Sequence, residues 1–431
     1  MTQEKLTLID FTLQNFGIFY EPVTLSLASR KLEGRTFAVG EEDVLRYALV
    51  FGENASGKST LVRGLLALQT CVRWSVERRD VVGTTLTHSR FHVEGATEPV
   101  TLALTFGIGD TIYEYGFSYD HVSKAFVREY LHEDGASDTP IVHFELNGSD
   151  LVLSEALEDK RDIYTNKKRP DALFLTTASL FAPTKEDLLN KVYEQVRDGI
   201  LILNTKRDHI FPEMAERVVS DGSFRKRLLE YLHVADFSIT NLAKEEVSAR
   251  DLPKQLVEMI ARSGQPIPES MSTLNAAHQL FAGGRAQGFV DLNIGDESEG
   301  TQQFLNILAK YVDALEFGRV VVLDEFDVNL HPRLTKFIVQ LFQDKNPNNA
   351  QLIATTHDVT LLNMDGLTKY NVYFTQKTHV GSAELYSLAD FKDVRNDKRF
   401  ADDYLAGVFG AVPNVRMPDV QYTDEYEQKG E

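Results

Sequence analysis

Alternating apolar and polar positions predict strands through the first third of the chain. Residues 6–27 fit two strands around a turn, and the same period of two recurs at 100–106, 111–118 and 125–131. The Asn147-Gly148 pair, flanked by two further apolar segments, is typical of a tight hairpin turn. We therefore predict a β-rich lobe over residues 1–154.

Helical periodicity replaces this alternation after residue 154. Apolar positions recur at helical spacing over 188–196, 224–232 and 253–261. Proline and glycine interrupt the region repeatedly, so a long coiled-coil arm is not expected. We predict a mostly helical insertion over residues 155–262.

Strands and helices alternate again in the remainder, residues 263–431. Strands are predicted at 289–293, 319–323 and 351–355, and helices at 302–315 and 334–342. The end of the chain is acidic and polar, which indicates a solvated tail in preference to a docking peptide. The whole pattern predicts an α/β fold.

A glycine-rich loop lies between an apolar strand and an amphipathic helix. Residues 52–59 fit G-x-x-x-x-G-K-[ST], and the strand–loop–helix order favours a phosphate-binding loop over a surface glycine turn. Backbone N–H groups of such a loop surround phosphates, the lysine reaches the β- and γ-phosphates, and the hydroxyl binds Mg²⁺. The predicted ATP-binding residues are Gly52, Glu53, Asn54, Ala55, Ser56, Gly57, Lys58, Ser59 and Thr60.

A second apolar strand ends in two adjacent acids, Asp324 and Glu325. Parallel strands present such residues at their carboxyl edge, where α/β proteins bind ligands. We predict that Asp324 holds Mg²⁺, through water, and that Glu325 polarises the attacking water. The alternative is an ordinary strand end, which the glycine loop upstream makes less favourable.

His357 ends the next predicted strand, which places it beside the two acids and in reach of a γ-phosphate. A helix start at 296–302 contains Ser298, Gly300 and Thr301, and helix N-termini attract anions. Because one phosphate site already exists in the chain, this second site is predicted to face the nucleotide of another subunit. Simple N-capping by Ser298 or Thr301 explains the same residues equally well.

Charge and composition narrow the function classes. The 431 residues carry a net charge of −19, which disfavours broad nucleic-acid binding, and the basic run 167–169 fits a solvated loop better than a nucleic-acid contact. The single cysteine permits no internal disulfide and fits a reducing compartment. No signal peptide or membrane-spanning segment is recognised, so we expect a cytoplasmic protein.

Four motifs in this order resemble the ABC-type ATPase heads of the SMC and RecF group. Within it, the chain resembles the compact AAA-type ATP-binding proteins of bacterial phage-defence operons, which include the ATPase subunits of the RloA, AbiL and PARIS systems. The matching segments are LIDFTLQNFGIF at 8–19, FGENASGKST at 51–60, FRKRLLEYLHVADFSITNL at 224–242, DESEGTQQFL at 296–305, VLDEFDVNLHP at 322–332, ATTHD at 354–358 and DDYLAGVFGAVPNV at 402–415.

The resemblance implies a P-loop NTPase with an ABC-ATPase-like head, and it implies roles for particular residues. Lys58 and Ser59 become ligands of phosphate and Mg²⁺, and Glu325 becomes the catalytic base. Ser298 and Gly300 complete a partner's site, Asp327 and Asn329 link the two sites, and His357 is the switch. The chain departs from the pattern in one respect: the glutamine that such heads carry between their lobes cannot be placed. Gln69 lies too close to the loop helix, and residues 90–130 contain no glutamine.

The resemblance also implies partners. Such ATPases form dimers or higher oligomers around ATP, and they hold or release an effector from the same operon, often a TOPRIM-fold nuclease, when a phage-encoded trigger is sensed. Two alternatives stay open at this point. One is an SMC- or RecF-like head that acts on DNA, which the acidic charge disfavours, and the other is a scaffold whose nucleotide is only structural.

Overall fold

The structure is a computed structural model. It describes residues 5–135, 139–181, 187–204, 211–235, 237–248, 269–392 and 400–413, together with the single positions 184, 250, 257, 394 and 395. The segments 253–261, apart from residue 257, and 418–431, for which a helix and a solvated tail are predicted, lie outside the described residues.

Strands outnumber helices in the described residues. The strands are β1 (Leu6–Gln14), β2 (Val23–Ser26), β3 (Ala28–Ser29), β4 (Thr36–Val39), β5 (Glu42–Leu45), β6 (Tyr47–Gly52), β7 (Val100–Ile108), β8 (Thr111–Asp120), β9 (Ala125–Glu133), β10 (Ile141–Asn147), β11 (Asp150–Leu153), β12 (Ile200–Asn204), β13 (Ile239–Ser248), β14 (Ser270–Ala282), β15 (Arg285–Asn293), β16 (Val320–Asp324), β17 (Gln351–Thr355), β18 (Val372–Lys377) and β19 (Ala383–Ser387). The helices are α1 (Lys58–Trp74), α2 (Arg79–Thr85), α3 (Arg161–Lys167), α4 (Phe174–Ser179), α5 (Leu188–Asp198), α6 (Phe211–Ser220), α7 (Gly222–Val234), α8 (Glu299–Phe317), α9 (Pro332–Asp344) and α10 (Phe400–Leu405).

Two large sheets enclose helix α1. The antiparallel sheet has the order β11-β10-β9-β8-β7-β1-β2, and the central sheet has the order β12-β16-β17-β6-β18-β19. All neighbours in the central sheet pair in parallel except β18 and β19. Smaller three-stranded sheets, β3-β5-β4 and β13-β14-β15, complete the described part of the chain.

The central strands are buried on both faces, which explains their continuous apolar sequences. In β6, Ala48 and Val50 face the core shared with α1 and the antiparallel sheet, whereas Leu49 and Phe51 face the core shared with α8 and α9. The same alternation in β16 and β17 fixes the register of the sheet, because a shift by one residue would exchange the two faces. The parallel register in turn brings the carboxyl ends of β6, β16 and β17 to one edge.

The predicted α/β architecture is confirmed, and the glycine loop lies between a strand and a helix as expected. Helix α8 begins three residues before the predicted start at 302, because the side chain of Ser298 caps it. None of the described helices is both long enough and apolar enough to cross a bilayer.

The region 155–262 contains more than helices. Besides α3 to α7 it contributes β12, which pairs in parallel with β16 from Ile200↔Val320 to Asn204↔Asp324 and so forms one edge of the central sheet. Strand β13 from the same region pairs with β14. The division of the chain at residues 154 and 262 stays a prediction.

The basic run 167–169 makes contacts within the chain. Lys168 donates to the carbonyl of Ser149, and Arg169 contacts the carboxylate of Asp171 at 3.1 Å. The Lys167 ammonium lies 5.5 Å from the centre of the Phe181 ring. Lys167 is the last residue of α3, and Lys168 and Arg169 follow that helix. The preference for a solvated loop over a nucleic-acid contact stays a prediction.

A carboxyl group is buried between the antiparallel sheet and α4. Glu129 is fully buried and accepts hydrogen bonds from the Tyr115 hydroxyl and from the backbone N–H groups of Phe174 and Leu175. Burial raises the pKa of Glu129 to about 7, although the three hydrogen bonds favour the ionised form.

This raised pKa predicts a pH-dependent stability. Between the unfolded pKa of 4.5 and the native value of about 7, the native state binds more protons than the unfolded state. The contribution of Glu129 to the free energy of unfolding therefore falls as pH rises, by up to about 3 kcal/mol between pH 5 and pH 8. Glu129→Gln should remove this component.

Urea denaturation of the wild type and the variant at pH 5, 6, 7 and 8 measures the difference. The exposed Glu41→Gln variant serves as the control and should keep the wild-type slope. An equal pH dependence in wild type and Glu129→Gln would contradict the assignment.

Candidate nucleotide-binding site

The loop between β6 and α1 has the backbone geometry of a phosphate cradle. Gly52, Ala55 and Gly57 have φ values of 153°, 62° and 119°. At Gly52 an added Cβ would lie 2.4 Å from the carbonyl oxygen of Thr375, and at Gly57 it would lie 2.7 Å from the Phe19 ring. Both positions therefore require glycine, and the left-handed residues make this loop a backbone nest suited to anions.

Lys58 begins α1 and folds back over the loop. Its ammonium donates to the carbonyl oxygens of Gly52 and Glu53 at 2.8 and 2.9 Å. Burial lowers the pKa of Lys58, whereas the nearby carboxylates, of which Glu325 has the largest effect, oppose that change. A phosphate oxygen is a stronger acceptor than a carbonyl, so a nucleotide can displace these contacts.

Asp324 joins three elements at the carboxyl edge of the central sheet. Its Oδ1 accepts from the hydroxyls of Ser59 at 3.1 Å and of Thr355 at 2.7 Å. The Thr355 hydroxyl also accepts from the backbone N–H of Glu325 at 2.7 Å. The hydroxyl and the carboxylate predicted to bind Mg²⁺ are therefore adjacent, and an oxygen-only set of this kind fits that cation.

Glu325 leaves the strand through a left-handed turn, with a φ of 50°. The turn is held by Phe326, whose ring is buried and whose N–H donates to the carbonyl of Thr355. Glu325 is thereby directed to the cavity beside the loop. Strain at a non-glycine residue of this kind recurs at functional sites.

His357 lies opposite these acids. Its backbone N–H donates to Asp327 Oδ2 at 3.1 Å, which connects the ends of β16 and β17. Burial is the main reason that the pKa of His357 is lowered, and repulsion from Lys58 adds to it. The neutral ring is therefore favoured at neutral pH.

A cavity of about 350 Å³ contains most of the predicted site. It is lined by Gly17, Ile18, Asn54, Ala55, Ser56, Gly57, Lys58, Ser59, Thr60, Arg63, Phe91, Glu325 and His357. Three further predicted residues contact the lining without belonging to it. The carbonyls of Gly52 and Glu53 accept from Lys58, and Asp324 accepts from Ser59. The structure brings these predicted residues together, and their catalytic roles stay predictions.

A larger cavity, of about 630 Å³, opens at the opposite edge of the central sheet. Gly199 and Arg319, which precede β12 and β16, line it together with Lys5. It contains none of the motif residues, so size alone does not identify the functional site in this chain.

Ser298, Gly300 and Thr301 do not line the nucleotide cavity of their own chain. The Ser298 hydroxyl accepts from the backbone N–H of Thr301 at 3.1 Å, so the N-capping interpretation is correct as far as it goes. At Gly300 a Cβ would lie 2.8 Å from the carbonyl of Asn329, which packs this segment against the residues after Glu325. Ser298 is exposed, whereas Thr301 is buried and its hydroxyl lies 2.8 Å from that of Ser298.

Four cavity residues were not identified from the sequence: Gly17, Ile18, Arg63 and Phe91. Gly17 and Ile18 lie in the resembling segment 8–19, which was the available signal. Asn15 in the same segment holds the loop that carries Phe91, since its amide donates to the carbonyls of Gly95 and Glu98. Phe91 had no local signal.

Gln69 does not supply the glutamine that ABC-type heads carry between their lobes. The Gln69 amide donates to the carbonyls of Val196 and Ile200 at 3.1 and 3.0 Å, where α5 meets β12. Gln69 lies within the loop helix α1 itself and is a buried structural residue.

Thr375 of β18 supports the loop from below. Its hydroxyl lies 2.6 Å from that of Ser56, and both side chains are buried. Thr375 also donates to the carbonyl of Phe51 at 3.4 Å, so its Oγ1 is left to accept from Ser56. A single hydroxyl thus connects the end of β6 to the middle of the loop.

Comparison with known proteins agrees with this geometry. The strand–loop–helix cradle and the acidic strand beside it define a P-loop NTPase, and the family described as "AAA domain, putative AbiEii toxin, Type IV TA system" matches residues 48–363. The match covers more than two thirds of the chain and includes the glycine loop, Asp324, Glu325, Ser298 and His357. The chain belongs to this AAA-domain family.

Three solved structures of SMC heads are also similar, although remotely. An SMC head bound to the winged-helix domain of ScpA is 12% identical, with 88% of this chain and 97% of that chain covered and a TM-score of 0.41. The SMC head of Thermotoga maritima is 13% identical (88% and 98% covered, TM-score 0.38). The ScpA-bound Smc head of Pyrococcus furiosus is 10% identical (89% and 96% covered, TM-score 0.40).

At these scores the three heads carry no argument about function. No curated protein sequence matches the chain. The family match and the topology therefore establish a P-loop ATPase fold. The finer predictions about defence and partners are part of the proposed function.

The contact between Ser56 and Thr375 generates a test of the loop. Thr375→Val keeps the shape of the side chain but removes the hydroxyl, so the loop loses its support and ATP affinity should fall roughly three- to tenfold. The turnover number at saturating ATP should stay close to the wild-type value. Titration with a fluorescent ATP analogue and steady-state kinetics measure the two quantities.

Two further variants serve as controls for Thr375→Val. Thr375→Ser should restore affinity, and Thr176→Val, which removes a buried hydroxyl that donates to Val72 far from the loop, should leave it unchanged. Wild-type affinity in Thr375→Val would show that the hydroxyl pair does not organise the loop.

Proposed function

We propose that this chain is an Mg-ATP-dependent ATPase whose subunits pair around nucleotide and thereby control a separate effector protein. The observation that carries the proposal is the hydrogen-bonded group around Asp324, which unites the loop helix, the acidic strand and the strand that leads to His357. A scaffold that only holds Mg-nucleotide could use the same contacts, and the presence of Glu325 and His357 in the adjoining cavity is what favours turnover.

The catalytic steps follow from the positions of the side chains. Backbone N–H groups of residues 53–59 and the Lys58 ammonium bind the phosphates and stabilise the charge that develops on them. Glu325 accepts a hydrogen bond from the attacking water and orients it, and His357 contacts the γ-phosphate. Mg²⁺, held by Ser59 and by Asp324 through water, would neutralise phosphate charge when bound.

The position of Ser298 supports pairing between subunits. Ser298 and Gly300 are not among the residues that line the cavity of their own chain, and Ser298 is exposed at the N-terminus of α8. Two copies related by a twofold axis would each place this segment on the nucleotide of the other. Each nucleotide would then be enclosed by two subunits.

A role in phage defence is supported by the sequence resemblance. The description of the family also refers to a toxin of a toxin–antitoxin system, which fits an ATPase that restrains or releases a harmful partner. The net charge of −19 favours a protein partner over direct DNA binding. We propose that the effector is the product of an adjacent gene and that a TOPRIM-fold nuclease is one such product.

The proposal predicts that Glu325→Gln traps a nucleotide-bound assembly. The variant keeps phosphate binding but loses the group that orients water, so turnover should fall about 10²- to 10⁴-fold. With Mg-ATP, its mass by light scattering should rise from that of the nucleotide-free protein to at least twice the chain mass of 48.6 kDa.

Lys58→Ala should remain at the nucleotide-free mass, because the loop lysine is lost. A Glu325→Gln protein whose mass is the same with and without Mg-ATP would rule out pairing around nucleotide. Wild-type turnover in Glu325→Gln would show that another group activates water.

The effector part of the proposal has its own test. The product of the adjacent gene, co-expressed with the chain, should co-purify with Glu325→Gln in Mg-ATP and should bind differently to Lys58→Ala, because only the first variant forms the closed assembly. Pull-down in the presence and absence of ATP measures this difference. Equal recovery of the effector in every nucleotide state would contradict control by the ATPase.

A further inference from the structure

The residue that precedes Ser298 is tied to a different part of the molecule. Glu297 Oε1 lies 2.6 Å from His278 Nε2, and the two side chains are only 12% and 18% exposed. His278 is on β14, the middle strand of the sheet β13-β14-β15. Its other ring nitrogen lies 3.0 Å from the hydroxyl of Ser238.

The backbone of Glu297 is fixed as well. The side-chain amide of Gln302, in the first turn of α8, donates to the Glu297 carbonyl at 2.8 Å and to the Gly295 carbonyl at 3.1 Å. The Glu297 N–H donates to the carbonyl of Ile294. Glu297 is therefore held at its carboxylate, its carbonyl and its N–H. Because Ser298 is the next residue, these contacts also restrict the position of Ser298.

The contact is robust to the protonation state of the histidine ring. A neutral ring donates from Nε2 to Glu297 and accepts the Ser238 hydroxyl at Nδ1, whereas a charged ring donates from both nitrogens. In both states the carboxylate of Glu297 receives an N–H. A half-buried hydrogen bond to a carboxylate is stronger than one between neutral groups.

The sheet that holds Glu297 is separate from the nucleotide cavity. Strands β13 and β14 pack against α6, and β13 also packs against α7, whereas none of the cavity residues lies on these elements. The contact between His278 and Glu297 can therefore be removed without changing any residue that lines the cavity. Ser298 is also held by its own helix, α8, and the first turn of that helix contacts Asn329, whose side-chain amide donates to Glu299 at 3.4 Å.

We propose that His278 is a positioning residue for the site between subunits: through Glu297 it sets the place of Ser298 at the N-terminus of α8. This inference rests on the proposed pairing around nucleotide. It assigns to the β13-β14-β15 sheet a role in assembly and no role in nucleotide binding within one chain. A change at His278 should therefore weaken the association of subunits and leave the affinity of a single subunit for ATP unchanged.

The test uses the Glu325→Gln protein with Mg-ATP as the parent. In this background, His278→Ala should raise the protein concentration needed for half-maximal assembly by roughly 10- to 100-fold, because a hydrogen bond to a half-buried carboxylate is lost. Binding of a fluorescent ATP analogue to the unassembled subunit, measured at low protein concentration, should be unchanged. Analytical ultracentrifugation over a concentration series measures the assembly.

Two variants separate positioning from general damage to the sheet. His278→Gln keeps an N–H that can reach Glu297 and should restore most of the assembly. Thr240→Val removes a hydrogen bond on the neighbouring strand, from the Thr240 hydroxyl to the Ala277 carbonyl, and leaves Glu297 untouched, so it should assemble like the parent.

Three results would overturn the inference. In the first, His278→Ala assembles at the same protein concentration as the parent. In the second, Thr240→Val weakens assembly as much as His278→Ala does. In the third, His278→Ala loses ATP binding as well as assembly. If the parent itself fails to assemble with Mg-ATP, the proposed pairing is wrong, and the role of His278 falls with it. That outcome is recognised before any His278 variant is made.

Discussion

The carboxylate of Asp324 receives two hydroxyls from parts of the chain that are far apart in sequence, and the site depends on this meeting. Ser59 comes from the first turn of α1 and Thr355 from the end of β17. They reach one oxygen only because β6, β16 and β17 run parallel, in register, and end at one edge. The register is set by the alternation of core-facing side chains, so the hydrophobic pattern determines the geometry of the acids.

Three of the seven non-glycine residues with a positive φ in the described part of the chain, Ala55, Glu325 and Asn329, lie at this same edge. For alanine and glutamate such values are uncommon. Glu325 is held by the burial of Phe326 and by the Thr355 hydroxyl, and the loop is held by Thr375. The rigid parallel strands thus keep a loop and a turn in conformations that are suited to phosphate and water and that isolated segments would not retain.

The sequence predicts the parts of this arrangement that depend on local pattern. The glycine loop, the apolar strands before Asp324 and His357, and helix α8 all follow from residue type and spacing over a few positions. Thr375, Phe91 and the His278–Glu297 contact do not, because each acts on residues that are distant along the chain or reached only through the tertiary fold. Strand β12 was missed for a related reason: it is short, it lies among helices, and its pairing with β16 arises only in the tertiary fold.

A structure of the Glu325→Gln protein with Mg-ATP is the most direct test of the proposed pairing. We expect Ser298 of one subunit to contact the γ-phosphate bound in the loop of the other subunit, while Lys58, Ser59 and Asp324 of that second subunit surround the same nucleotide. A nucleotide-bound structure in which Ser298 contacts no nucleotide, or contacts the one in its own chain, would rule out this pairing.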